Sequence, residues 1–402
     1  MSLFTGVFAA ETENPAELNK RSFAAKMLEL YPNGSFPLWG LLSQQPKAKA
    51  VSSTHGYFTK TIQFGSVTIN DGAGYAAGDV TFTVDSSTGI VAKQVLYNPR
   101  TKENLRVSSV TNSTTIVVTR AFGRQAAAAI LDNDVLIVIG TAHDQGSDRP
   151  TARGMTTVYV PNYTQIFRNA WALTDTARAS AVEMGMTNIA RTKRDCAILH
   201  SIDCESAIFF GQPKMDTTGT NPLHATQGII DAVDQYAPAN TNDAAATTTY
   251  DQLITLIESA FNYSTDLGNT KERVAFCGST AMKVLNGIGR FAGTVTISQE
   301  ETSFGMMFTR FKFYKGIVNL IEHPMFNSHD ELKGMMVLCE LAGLQLAFME
   351  GRDTRPEEFG GTGQNNANGV DAEGGSLTTE FAVELINPFA YSVIYGLTAA
   401  AA

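Results

Sequence analysis

The feature that most constrains the fold is a long helical pattern in the middle of the chain. It begins at Thr174 or Asp175, either of which can serve as the N-cap, and continues to about Phe210, before the stop signal Gly211-Gln212-Pro213. About 36 helical residues would extend over roughly 54 Å, which is long for a globular domain. The pattern indicates a scaffold helix. Gly185 inside it leaves open whether that helix is one unbroken element.

A β-rich segment precedes this helix. Between residues 66 and 140, short strand-like runs alternate with turn signals about every ten residues, which is typical of a small all-β module. The runs are VTFTV at 80–84, LRVSSV at 105–110, TTIVVTR at 114–120 and DVLIVIG at 134–140. Strand character also flanks the module, over 56–65 and 154–171. We expect these flanking segments to be the legs of one long hairpin, with the module at or near its far end.

The two ends of the chain have different patterns. Asn14-Pro15 is a helix start signal, a second short helix is expected around Leu38–Leu42, and residues 1–55 are interpreted as an arm that can reach a neighbouring subunit.

Residues 220–350 are interpreted as a separate α/β unit. Its predicted helices are 223–236, 249–262 and 278–289, and its predicted strands are 273–278, 293–299, 308–316 and 317–323, followed by buried strands in 335–350. A Gly/Asn-rich loop, 358–375, precedes the closing strands. The fold class is therefore predicted to be α+β.

Composition excludes several classes of function. Only 17% of the residues are charged, the net charge is −9, and no run of Lys or Arg exceeds two residues. A protein that binds nucleic acid directly usually carries a basic face or stripe, so we expect any DNA to be enclosed by the protein and not bound to a basic surface of it.

Four scattered cysteines (Cys196, Cys204, Cys277 and Cys339) indicate a reduced, cytosolic protein. Neither a signal peptide nor an 18-residue apolar run is recognisable, so no membrane partner is predicted.

Candidate metal ligands are sparse. Cys196, His200 and Cys204 follow one another at i, i+4 and i+8 and share one helix face, but without a fourth ligand we interpret them as a seam that packs on a sheet. His323 and His329, beside Glu322 and Asp330, are interpreted as part of a surface loop.

Motifs for catalysis and cofactor binding are also weak. Asn286–Arg290 resembles a nucleotide-binding loop only faintly and is interpreted as a turn after a helix. The adjacent pairs Glu300-Glu301 and Glu357-Glu358 point apart in a strand or loop, so neither pair can easily share acid–base chemistry. P-loop and G-x-S-x-G motifs are absent from the sequence. We therefore predict a protein that is not an enzyme, with no catalytic, cofactor-binding or metal site.

The order of these elements resembles the major capsid proteins of tailed phages with the HK97-type fold, and more closely the SU10-like major head proteins. The residues that carry the closer resemblance are Asn162–Arg168 and Leu173–Ala177, followed by Met335–Phe359 and Thr378–Leu397. The resemblance implies six segments: N-terminal arm (1–55), E-loop hairpin strands (56–65 and 141–173), inserted β module (66–140), P-domain spine helix (174–222), A-domain (223–334), and returning P-domain strands with the C-terminus (335–402).

The resemblance also implies a function. Copies of the chain would assemble as hexamers and pentamers into an icosahedral shell that encloses phage dsDNA without sequence-specific contacts. The expected location is the virion, after assembly in the host cytoplasm, and the need for scaffolding, cement or portal proteins stays open. Two alternatives remain, an encapsulin-like bacterial nanocompartment shell and a phage tail or adhesion protein. The large β insertion argues against the first and the long helix against the second.

Overall fold

The computed structural model describes residues 37–60, 65–150, 152, 154, 157–179, 188–244, 248–263, 271–292, 298–303, 306–359 and 372–400. The helices among them are α1 (Pro37–Gln44), α2 (Asp175–Ala179), α3 (Asn188–Phe210), α4 (Ile229–Tyr236), α5 (Tyr250–Glu258), α6 (Ser279–Ala292) and α7 (Pro324–Asn327). No helix in these ranges is both long and apolar enough to cross a bilayer. The arm at 1–36 and the question of Gly185 lie outside the described residues.

The strands complete a fold of mixed α and β structure. They are β1 (Ala48–Ala50), β2 (Thr54–Thr59), β3 (Ser66–Thr68), β4 (Thr81–Thr83), β5 (Gln94–Tyr97), β6 (Asn104–Asn112), β7 (Thr115–Thr119), β8 (Val135–Thr141), β9 (Val158–Tyr163), β10 (Gln165–Thr174), β11 (Lys214–Asp216), β12 (Leu223–Ala225), β13 (Thr241–Asp243), β14 (Glu272–Cys277), β15 (Ser298–Ser303), β16 (Met306–Lys312), β17 (Ile317–Glu322), β18 (Met336–Cys339), β19 (Leu344–Met349), β20 (Arg355–Phe359), β21 (Ala372–Leu385) and β22 (Ser392–Tyr395). The chain divides into two compact units, a smaller one (Phe58–Tyr159) and a larger one formed by the flanking sequence.

The smaller unit contains a six-stranded antiparallel sheet in the order β3-β8-β5-β6-β7-β4. Side chains alternate between its two faces because successive residues of a strand point to opposite sides. Phe82, Leu96, Leu105, Ile116 and Leu136 are fully buried on the inner face. These side chains give the unit a hydrophobic core of its own.

The larger unit contains a seven-stranded mixed sheet in the order β13-β22-β18-β14-β17-β16-β15. Its central strands are buried on both faces. On β14, Val274 and Phe276 pack into one hydrophobic core, whereas Ala275 and Cys277 pack into another on the opposite face. Continuous burial of this kind explains why the central strands are apolar runs without alternation.

A second sheet of the larger unit is organised around the 14-residue strand β21. Along one edge, β21 pairs with β10 from Gln165↔Phe381 to Thr174↔Ala372. Along the other edge, β20 pairs with residues 374–378 and β19 with residues 381–385. β1 completes the sheet as a parallel partner of β19. Phe167 and Phe381 stack 4.8 Å apart between this sheet and α3.

The predicted hairpin is shorter than expected. β2 pairs with β9, but β10 leaves the hairpin and pairs with β21. The change occurs at Thr164, whose backbone N–H donates to the carbonyl of Ser53, and whose hydroxyl lies 2.9 Å from the Glu380 carboxylate. Thr164 is thus held through both its backbone and its side chain at the point where the chain passes from one sheet to the next.

The prediction of a helix over 223–236 was wrong at its start. Residues 223–225 form β12, and α4 begins only at Ile229. The reason is a close approach of two backbones, because a Cβ at Gly228 would come within 2.7 Å of the backbone nitrogen of Gly211. The backbone N–H of Gly228 donates to the Gly211 carbonyl in this contact. A helix that continued through Gly228 would break this hydrogen bond.

The segment 335–402 contributes strands to both large sheets of the larger unit. β19, β20 and β21 join the sheet that α3 covers, but β18 and β22 are inner strands of the seven-stranded sheet. The predicted division at residues 334 and 335 therefore does not coincide with the division between the sheets. β18 and β22 are apolar strands that could be buried in the seven-stranded sheet or in the β21-centred sheet. Their sequences therefore do not predict which of the two sheets they join.

Candidate functional site

A buried carboxylate joins three helical elements of the larger unit. Glu205 on α3 is 1% exposed, and its Oε1 accepts the backbone N–H of Leu38 at 3.1 Å and Nε2–H of His323 at 2.6 Å. Leu38 lies in the first turn of α1, where backbone donors lack partners within the helix. The carboxylate therefore caps α1 from a distant part of the chain.

The prediction that His323 lies in a surface loop was wrong. His323 is 2% exposed, and its Nδ1 accepts the backbone N–H of Met325 at the start of α7. Because Nδ1 accepts, the proton of the neutral ring lies on Nε2, which donates to Glu205. His329 is exposed and stands apart from this arrangement. No group of three or more His, Cys, Asp or Glu side chains suitable for a metal occurs in the described ranges.

Cys196, His200 and Cys204 lie on the face of α3 that contacts the β21-centred sheet. Both ring nitrogens of His200 have protein partners at 2.7 Å, Asn169 on β10 and Thr379 on β21. Burial lowers the pKa of His200, raises the pKa of the Cys196 thiol, and raises that of the Cys204 thiol to about 12. In this arrangement the histidine binds the helix to two strands, and the two thiols remain protonated.

A buried ion pair lies where β14 begins and β18 ends, at two neighbouring inner strands of the seven-stranded sheet. Nη1 of Arg273 lies 3.2 Å from Oε1 of Glu340, and both side chains are nearly inaccessible to solvent. Arg273 also donates to the carbonyl of Ala390, and Tyr391 donates its hydroxyl to the backbone carbonyl of Glu340. Burial lowers the pKa of Arg273 and raises the pKa of Glu340. The pair cross-links three segments that are distant in sequence.

The remaining sequence candidates lie apart from one another. Glu358 on β20 reaches Lys193 of α3 at 2.6 Å, whereas Glu357 points to the other face, 3.7 Å from Arg168. Glu300 and Glu301 belong to β15. The interpretation of Asn286–Arg290 as a turn was wrong, because these residues lie inside α6.

The sequence analysis missed a concentration of exposed apolar side chains in the smaller unit. Among the described residues, nine of the eighteen exposed large apolar side chains lie in this unit. Val135, Ile137 and Ile139 alternate along β8, so they share one face of the sheet. Their spacing was visible in the run DVLIVIG, but the sequence does not reveal which of the two alternating sets faces the core. Exposed apolar surface of this kind marks sites of protein–protein contact.

The buried polar groups around Glu205 and Arg273 thus connect elements of the fold to one another. The exposed apolar side chains of the smaller unit lie apart from them. Both features are typical of a protein with a structural role. Residues 9–398 match the SU10 major capsid protein family, to which the chain belongs. It is 47% identical to the major capsid protein of Pseudomonas phage PaMx41 over 99% of this chain and 97% of that protein. This is a structural family and not a class of enzymes.

The solved structures that are similar to this chain include two from phages and one encapsulin. A structure from Mycobacterium phage Bobi is 11% identical, with a TM-score of 0.47, and covers 94% of this chain and 96% of its own. One from Mycobacterium phage Adephagia is 9% identical, with a TM-score of 0.46, and covers 99% of each chain. The SrpI encapsulin of Synechococcus elongatus is 10% identical, with a TM-score of 0.42, and covers 62% of this chain and 80% of its own.

Proposed function

We propose that this phage major capsid protein assembles as hexamers and pentamers into an icosahedral shell that encloses dsDNA. The observation that carries the proposal is the family match over residues 9–398, together with a relative that is 47% identical over nearly the full length of both chains. The same observation favours a phage head over an encapsulin-like compartment or a tail protein.

The proposal includes an HK97-type arrangement of the elements. In it, β2, β9 and the smaller unit correspond to an E-loop that carries the inserted β module. α2 and α3 correspond to the P-domain spine, the β21-centred sheet to the rest of the P-domain, and the seven-stranded sheet to the A-domain. The order of the elements along the chain supports this correspondence.

The distribution of surface chemistry also fits a shell subunit. Identical copies that meet through unlike surfaces close into a shell when symmetry relates them. The exposed apolar groups of the smaller unit would lie in contacts of this kind. The net charge of −9 would weaken non-specific adhesion of DNA to the inner wall. Scaffolding, portal and cement proteins are further proposed partners, with assembly in the host cytoplasm and a final location in the virion.

Electron microscopy of the purified full-length chain, combined with analytical ultracentrifugation, tests the proposal. We expect closed shells or rings of five and six subunits. A chain that remains monomeric over a range of concentration and salt would contradict a shell-forming role. Shells that are filled with a cargo enzyme in cells, and that are absent from purified virions, would support the encapsulin-like alternative instead.

A further inference from the structure

A groove of about 490 Å³ opens on the face of the β21-centred sheet that α3 leaves uncovered. The residues that line it are Ile166, Arg168, Glu350, Gly351, Arg352, Arg355, Glu357 and Thr378. Ile166 points away from α3 and is 53% exposed, so the groove contains an apolar side chain without a protein cover. An exposed isoleucine between charged side chains is typical of a contact surface.

The groove has one cationic group in excess at its open side. Arg168 and Arg355 share the single carboxylate of Glu357, at 3.7 and 3.6 Å. Both arginine side chains are at least 60% exposed. The other three carboxylates nearby already have partners, since Glu350 pairs with Lys49, Asp353 with Lys47, and Glu380 with Arg352. Arg168 and Arg355 can therefore accept one further carboxylate between them.

The smaller unit carries a turn with the complementary chemistry. Leu131 is 53% exposed, and the exposed Asp132 follows it directly. The backbone N–H of Asp71 donates to Oδ1 of Asp132 at 2.9 Å, which fixes the carboxylate in place. Neither aspartate forms an ion pair within the described part of the chain, so the turn presents an apolar side chain beside two uncompensated negative charges.

We propose that this groove binds the Leu131-Asp132 turn of a second copy of the chain. Leu131 packs against Ile166, and the Asp132 carboxylate lies between the guanidinium groups of Arg168 and Arg355. Complementary charge selects the correct register of the two surfaces, and the apolar contact excludes water from it. The inference rests on the proposed function, since it assigns one of the contacts by which copies assemble.

Charge exchange tests the contact. Arg168→Glu and Asp132→Arg should each lower the fraction of protein that sediments as particles by about tenfold, because each places like charges together. The combined Arg168→Glu/Asp132→Arg variant should recover most of that fraction. Lys214→Glu and Asp148→Arg are matched controls at exposed positions outside the contact, and should assemble like the wild type. Singles that assemble normally, or a double variant no better than the singles, would overturn the proposal.

A cross-linking experiment separates this proposal from the proposed function. Ile166→Cys and Leu131→Cys variants are mixed and treated with a short bismaleimide, while the four native cysteines, all buried, remain unreactive. We expect a covalent dimer that contains one copy of each variant. Particles without this dimer overturn the groove contact alone. If the dimer forms but no particles form, shell formation is overturned and the groove contact stands. If neither the dimer nor particles form, the groove contact and shell formation are both overturned.

Discussion

Glu205 and His323 are hydrogen-bonded 2.6 Å apart in the interior of the larger unit, although 118 positions separate them in the sequence. The same carboxylate oxygen accepts the backbone N–H of Leu38, so one side chain of α3 fixes both α1 and the segment before α7. Replacement of this carboxylate should therefore loosen two attachments at once.

We expect Glu205→Gln to lower the free energy of unfolding by about 2 kcal/mol, because a neutral amide replaces the charged acceptor of two buried hydrogen bonds. Urea denaturation of the unassembled subunit measures this loss. Glu350→Gln is the matched control, since Glu350 is highly exposed and its ion pair with Lys49 should change stability by less than about 0.5 kcal/mol. Equal effects at the two positions would show that the buried carboxylate has no special role.

Arg273→Met should be strongly destabilising at neutral pH, by about 3–5 kcal/mol, because it leaves Glu340 as an unpaired buried charge. Burial already raises the pKa of Glu340 above its ordinary value of 4.5, and loss of the guanidinium raises it further. A raised pKa in the folded state stabilises at low pH and loses that effect as pH rises. The deficit relative to wild type should therefore shrink between pH 7 and pH 4.5.

A second variant isolates the charge from the packing at this pair. Arg273→Met/Glu340→Leu removes both ionic groups, and should recover most of the stability that Arg273→Met loses at pH 7. Its difference from wild type should vary little with pH over the same range. A deficit of Arg273→Met that does not change with pH would show that lost packing, and not the unpaired carboxylate, is the cause.

The smaller unit should lose stability in acid through Asp134. The Arg100 guanidinium, 2.6 Å away, together with donors from Asn98 and the backbone of Leu131, holds the pKa of this carboxyl at about 2. A depressed pKa stabilises the fold above the ordinary value of 3.8 and loses this effect as pH falls toward 2. The protection factor of the Leu131 amide, which is the exchange rate corrected for the pH dependence of intrinsic exchange, should fall over that interval, because this amide donates to the Asp134 carboxylate.

Asp134→Asn should abolish most of this acid response, because the amide cannot gain a proton at these pH values. Exposed Asp148→Asn provides the control and should keep the wild-type profile. An Asp134→Asn variant in which the protection factor of the Leu131 amide still falls between pH 4 and pH 2 would assign the response to other groups.

Gly375→Ala should destabilise the β21-centred sheet by about 1–3 kcal/mol through overpacking. A Cβ at this position would lie 2.7 Å from Nε1 of Trp171 and 2.6 Å from the carbonyl of Glu357. Tryptophan fluorescence and thermal unfolding report the change. Gly40→Ala in α1 is the matched control, because no atom lies within 4 Å of the added methyl group and alanine favours the helix by up to about 1 kcal/mol.

Local patterns predicted the elements better than their assembly. The alternation around Phe82, Leu105 and Ile116 predicted β4, β6 and β7, because a sheet with one buried face imposes this period on its strands. The buried position of His323 was not predictable from its neighbours, since it depends on Glu205, which is distant in sequence. Pro324 gave a local hint, because a residue before proline at the first helical position often serves as an N-cap.

Sheet membership was the least predictable property. β18 and β19 are separated by one short turn, yet they belong to different sheets of the larger unit. Both strands are apolar runs, and their residues do not predict which strand each one pairs with. The groove around Ile166 was hidden for the same reason, because it forms only where β10, β20 and β21 meet.

The chain enters and leaves the smaller unit through β2 and β9, two strands that pair with each other. Because the entry and exit points are neighbours, a foreign domain with closely spaced termini can replace residues 66–140 without changing the path of the rest of the chain. The same property allows recombination between phage genomes to exchange this segment as a cassette. A head protein built in this way can acquire a new surface, provided that the incoming segment replaces the contact that Leu131 and Asp132 make with the groove.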